Sequence, residues 1–141
     1  MGLDQHANLR GEQIDWKKYY SDDSDQENNF FVWRKHARLQ QFMAKKWNEQ
    51  NQHHEHKGTL SHLGFNGDDD VPVYITKEVV DDLREAIKND FKDYVATDGF
   101  FWGQQFQEES VKEYKEQDTK FLKFCEQSID EEKIVEYWCS W

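Results

Sequence analysis

Four groups of residues in this chain are of types that do chemistry. The densest is His53-His54-Glu55-His56, with His62 and then Asp68-Asp69-Asp70 beyond it. Neutral imidazoles and carboxylates are ligands for zinc and related divalent cations, which makes His53, His54, His56 and His62 the candidate metal ligands. The HExxH order that sets two imidazoles on one helical face is absent. The segment therefore reads first as a solvated polar loop. The second group is Asp4, His6 and Asn8. Alternate residues of a strand share a face, where a carboxylate can orient an imidazole as a general base. No nucleophile accompanies them, and each is ordinary on a solvent-facing strand.

The third group is cationic. Arg34, Lys35, Arg38, Lys45 and Lys46 fall in a stretch, 33–46, without a single acidic residue. Arginine matches carboxylate and phosphate geometry, so the patch suits an anionic ligand or partner. The competing account is internal compensation against the chain's own acidic segments, such as 108–136. The fourth group is Thr97-Asp98-Gly99-Phe100-Phe101-Trp102-Gly103. Bracketing glycines could make a stacking platform or a backbone cradle for an anion. The GxxxxGK[ST] phosphate loop is absent, and packed core aromatics with two tight turns account for the segment better.

Several elements must position these groups. Residues 2–9 alternate, with Leu3, Gln5, Ala7 and Leu9 on one face, and predict a half-buried strand. The stretch 20–29 is polar and reads as a loop. From Phe30 to about Trp47 the spacing of Val32, His36, Leu39, Met43 and Trp47 predicts a helix, with His36 a hydrogen-bonded core residue. Residues 48–70 carry no period and read as a long loop. Val71 to Ile75 predicts a short strand, and Pro72 near its start fits an edge strand. Thr76 is a good N-cap for a helix whose inner stripe is Val80, Leu83, Ile87 and Phe91. A third helix is expected over about 107–128, with Val111, Tyr114, Asp118, Phe121, Cys125 and Ile129 on one face. Residues 133–141 alternate again and predict a C-terminal strand, with Trp138 and Trp141 packing the end of the chain. The fold class expected is α+β: one domain, a two-layer sandwich with the N- and C-terminal strands in a small sheet against about three helices.

Composition narrows the function classes. In 141 residues, Leu, Ile, Val and Phe make up about one in five, and the net charge is −11. That approaches the compositional range of disorder. Against it stand ten Phe, six Tyr and six Trp, large enough to build a core between them. An acidic pI near 4.9 argues against broad nucleic-acid binding. No apolar run reaches a membrane span, and no basic-apolar leader precedes Asp4, so a cytoplasmic location with Cys125 and Cys139 as buried thiols is expected.

Met1-Gly2-Leu3-Asp4, Trp33-Arg34-Lys35, Val71-Pro72-Val73, the Thr97–Gly103 segment and Tyr137-Trp138-Cys139-Ser140-Trp141 occur in this order. Together they resemble a family of small uncharacterised phage and prophage proteins. The resemblance implies an origin without an activity, and it marks Asp4, Arg34, Lys35 and Asn66 as candidate ligand-binding residues. Gln5, His6 and the long 48–70 loop depart from that pattern. The function expected is non-enzymatic: an accessory protein, without a cofactor, that binds a host or phage protein or a small anion. An acidic surface with aromatic anchors suits the former, including imitation of nucleic acid. Two alternatives stand beside it. One is a small metal-dependent hydrolase using His6 or the 53–62 histidines; the other is an assembly component forming a homo-oligomer.

Overall fold

A computed structural model of the chain describes residues 4–9, 30–50, 72–95 and 104–140. Four strands form one antiparallel sheet: β1 (Asp4–Leu9), β2 (Phe30–Arg34), β3 (Val73–Ile75) and β4 (Val135–Ser140), in the order β2-β1-β4-β3. The two strands expected from the alternating termini, β1 and β4, are both present, and they take the central places. Gln5 lies opposite Trp33 on one side and Cys139 on the other, while Ala7 lies opposite Phe31 and Tyr137. All six side chains are buried, so this register gathers the inward residues of three strands on one face.

Three helices supply the second layer: α1 (Ala37–Gln50), α2 (Lys77–Lys88) and α3 (Gln104–Asp130). This is the α+β architecture expected. The Phe30–Trp47 helix, however, is two elements. Phe31 and Trp33 alternate with Val32 and Arg34 in β2, and Lys35 then turns the chain through a positive φ of 58°. Only at Ala37 does α1 begin, and it runs to Gln50, into the stretch read as loop. A strand and a helix joined by one sharp turn happened to keep an apolar spacing of three to four across the junction.

Both edge strands are closed by helix side chains. The outward backbone of β2 is met by α3: Gln117 Nε2 donates to Val32 O at 2.6 Å, and the Tyr114 hydroxyl accepts from Arg34 N at 3.0 Å. On the far edge, Gln50 of α1 imitates a neighbouring strand. Its Nε2 donates to Tyr74 O at 2.7 Å and its Oε1 accepts from Tyr74 N at 3.0 Å. Unpaired edge groups are templates for aggregation, and these contacts remove part of that template.

α2 starts as its sequence predicts, with Thr76 Oγ1 accepting from Val79 N at 3.4 Å. It ends less commonly. Asp90 and Phe91 both take left-handed φ values, 56° and 53°, which cost a non-glycine residue about 1–2 kcal/mol each. The Phe91 ring offsets this by full burial against His36, Phe42 and Tyr94, since burying such a ring contributes about 1.5–3 kcal/mol. The core is aromatic throughout. Trp33 and Phe121 meet edge to face at 5.0 Å, and Phe31 joins them at 5.2 Å from Phe121. Cys125 and Cys139 are buried thiols, and burial pushes both upward, Cys139 to about 12. Among the described residues, no helix is long and apolar enough to cross a membrane.

Candidate functional site

Two polar centres lie close together where β2 passes into α1. The first is sealed. Asp118, from the middle of α3, is 2% exposed, and its two oxygens take Trp33 Nε1 and His36 Nε2, both at 2.8 Å. The His36 ring lies flat on Tyr114 at 5.4 Å and edge-on to Phe91 at 5.5 Å. Gln5 of β1 holds the turn below it, accepting from His36 N at 2.9 Å and donating to His36 O at 3.1 Å. The same amide donates to the Tyr137 hydroxyl at 2.8 Å. That hydroxyl donates to Gln40 Oε1 at 2.6 Å, and Gln40 Nε2 reaches Cys139 Sγ at 3.3 Å.

An aspartate orienting a histidine is the frame of a general base. Here the imidazole is wholly buried among rings, so no substrate can reach it. The network positions the core: one carboxylate ties β2, the turn that leads into α1, and α3 together. His36 is the hydrogen-bonded core histidine that its place on the apolar stripe predicted.

The second centre is open. In the first turn of α1, Arg38 has a side chain only 7% exposed. It lines a cavity of about 360 Å3 together with Asp90, Lys92 and Val95 from the segment after α2, and Glu108, Val111 and Lys112 from α3. Small-molecule sites fall in roughly the 300–1,000 Å3 range. Arg38 Nη1 donates to Asp90 O at 3.2 Å, a carbonyl whose position depends on the left-handed turn at Asp90-Phe91. Glu108 Oε1 stands 4.0 Å from Nη2, outside hydrogen-bond length, and its own side chain is 62% exposed. Arg38 Nε is buried without any hydrogen-bond partner.

The carboxylates of the site are unequal. Asp90 is engaged by Lys115, whose ammonium lies 2.8 Å away. That bond, reinforced by the charges of Lys92 and Arg38, holds the Asp90 carboxyl below its ordinary range. Lys92 and Lys112 make no ion pair among the described residues. The centre is therefore a buried guanidinium with Nη2 unbonded, two ammonium groups without an ion pair at the rim and an apolar wall of Val95 and Val111.

The residues singled out by sequence separate accordingly. Asp4 and Arg34 face each other in register, with Arg34 Nε 3.8 Å from Asp4 Oδ1, both more than half exposed; this is a surface pair. Lys35 is exposed in the turn. Arg34 and Lys35 thus belong to the end of a strand and a turn, not to a helical patch with Arg38, Lys45 and Lys46. Lys45 sits 5.8 Å above the Tyr94 ring. Lys46 is neutralised by Asp82 and by Glu49 at 3.4 Å, and part of the cationic group does compensate internal acids. His6 is half-buried beside Asp4, and burial pulls its imidazole down to about 4 against the opposing pull of the Asp4 charge. Among the described residues no three His, Cys, Asp or Glu side chains converge as a metal site. His53, His54, His56, His62, Asn66 and the Thr97–Gly103 segment lie outside the described residues.

Sequence reasoning found Arg38 as one member of a basic run but missed its partners. Asp90, Lys92, Glu108 and Lys112 are 52 to 74 positions away, and no local pattern links them. Only the Asn89-Asp90 pair ahead of a buried aromatic signals the turn that brings them in. No protein-family model, curated protein or solved structure matches the chain.

Proposed function

We propose that this protein is a non-enzymatic, phage-encoded accessory protein that works in the host cytoplasm by binding a small anion in the Arg38 cavity. One observation carries this reading: a side chain buried to more than nine-tenths, whose guanidinium has one hydrogen bond from Nη1 and none from Nη2, lines a cavity large enough for a small molecule. A buried charge is costly unless hydrogen-bonded, and the protein itself supplies Arg38 with one carbonyl and a distant carboxylate. An anion completes the set. The phage origin rests on the resemblance of the sequence blocks, and the cytoplasmic location on the buried thiols and the absence of apolar runs.

Calorimetric titration with inorganic phosphate tests the reading. The wild type takes up phosphate in a 1:1 complex, and Arg38→Gln weakens it by at least tenfold, the usual scale for losing a charge-assisted hydrogen bond. Equal binding by both proteins sinks the proposal. Native mass spectrometry of untagged protein supplies the rival outcome. A stoichiometric divalent metal lost to a chelator moves the function to the metal-dependent hydrolase.

A further inference from the structure

Resting on that anion-pocket reading, we infer that Glu108 stands where the ligand's acid group goes, and that the ligand is a small organic dianion of the phosphomonoester class. Nη1 is committed to Asp90 O and Nε is closed off inside the protein, so Nη2 is the nitrogen left to meet an oxyanion. It donates a charge-assisted N–H···O bond to a carboxylate or a phosphate. Glu108 points a carboxylate at Nη2 yet stops 4.0 Å short of it. A rim side chain 62% exposed is free to swing outward when a better acceptor arrives. Glu108 is a tethered competitor that keeps the empty pocket's charge in balance.

The charge left after Glu108 departs selects the ligand. Asp90, bonded to Lys115, offsets Lys92 and Arg38 only in part, so a net positive charge remains. Arg38, Lys92 and Lys112 then face the cavity together. A single carboxylate answers Arg38 Nη2 alone. A phosphomonoester carries close to two charges and three acceptor oxygens above its second pKa near 6. One oxygen meets Nη2 and the others reach the lysines, which act as point charges. The organic group lies on Val95 and Val111, and about 360 Å3 accommodates a phosphate bearing one ring-sized substituent.

Phenyl phosphate and its isostere phenyl sulfate, titrated calorimetrically near pH 8, test both halves of the inference. The wild type binds the phosphate at least tenfold more tightly than the monoanionic sulfate. Glu108→Gln tightens phenyl phosphate by about tenfold, because a like charge beside a partly buried site is removed. The exposed double substitution Lys92→Gln with Lys112→Gln brings phosphate down to the level of sulfate, and it keeps the test alive should Arg38→Gln fail to fold. Unchanged or weaker binding in Glu108→Gln overturns the competitor role. Equal affinity for the two ligands overturns the dianion class, and both results leave the anion pocket standing. If neither ligand binds the wild type or Glu108→Gln, the pocket reading itself falls.

Discussion

His36 and Arg38 are two positions apart, both buried and both able to carry positive charge, and the fold treats them in opposite ways. Around His36 everything is enclosed: Asp118 spans it and Trp33, Gln5 fixes its backbone, two rings pack on it, and Nδ1 is buried without a hydrogen-bond partner. Around Arg38 the protein stops short. One carbonyl is supplied, one carboxylate hovers at 4.0 Å, and the side chain lines a cavity. Neither burial nor an unpartnered nitrogen is thus a guide to role by itself. What separates the two is access: Arg38 borders a cavity, and the His36 ring is wholly enclosed.

The largest expected effect attacks the sealed side. Asp118→Ala strips the partner from Trp33 Nε1 and His36 Nε2 at once and leaves both buried. Removing one member of such a buried set costs about 3–5 kcal/mol. Urea unfolding reads this as a large drop in midpoint, and Asp118→Asn, which keeps one acceptor oxygen, falls between. A loss below about 1 kcal/mol for Asp118→Ala would show that the network is incidental to stability.

The opposite face of β1 supplies the next effect. Burial lowers the His6 imidazole from 6.5 to about 4. Between those values the unfolded chain binds the proton and the native chain does not, so stability falls as pH drops through this window. Above pH 6.5 the contribution is fully present. His6→Gln should flatten the dependence of the unfolding free energy on pH between 6.5 and 4. If the slope there is unchanged, His6 is not its source.

Part of this arrangement was legible before any coordinates. The two terminal strands carry a strict alternation, and Thr76 announces α2. The His36 assignment followed from apolar spacing alone. β2 was not legible, because Phe31 and Trp33 have a period of two over only five residues and the helix beyond supplied a stronger signal. The aromatic and β-branched run Phe30-Phe31-Val32-Trp33 was the available clue. Asp118 could be placed on the inner face of its helix, but not its meeting with Trp33, 85 positions earlier in the chain. The Arg38 cavity was half visible as a basic run. Its other walls meet Arg38 only because Asp90 and Phe91 turn left-handed, and burial of the Phe91 ring offsets a turn that local propensity disfavours.

The smallest effect on stability is expected where the largest effect on binding lies. Arg38→Gln loses one hydrogen bond to Asp90 O, about 1 kcal/mol. It also relieves the desolvation of a guanidinium that no close carboxylate matches, which offsets part of that loss. The unfolding free energy should therefore stay within about 1 kcal/mol of wild type, while phosphate binding falls at least tenfold. Asp118→Ala should give the reverse: a large loss of stability, with binding retained under conditions where the variant is still folded. If Arg38→Gln unfolds the protein as severely as Asp118→Ala, the guanidinium is as structural as His36. The distinction between an enclosed and a cavity-lining polar group would then not hold in this fold.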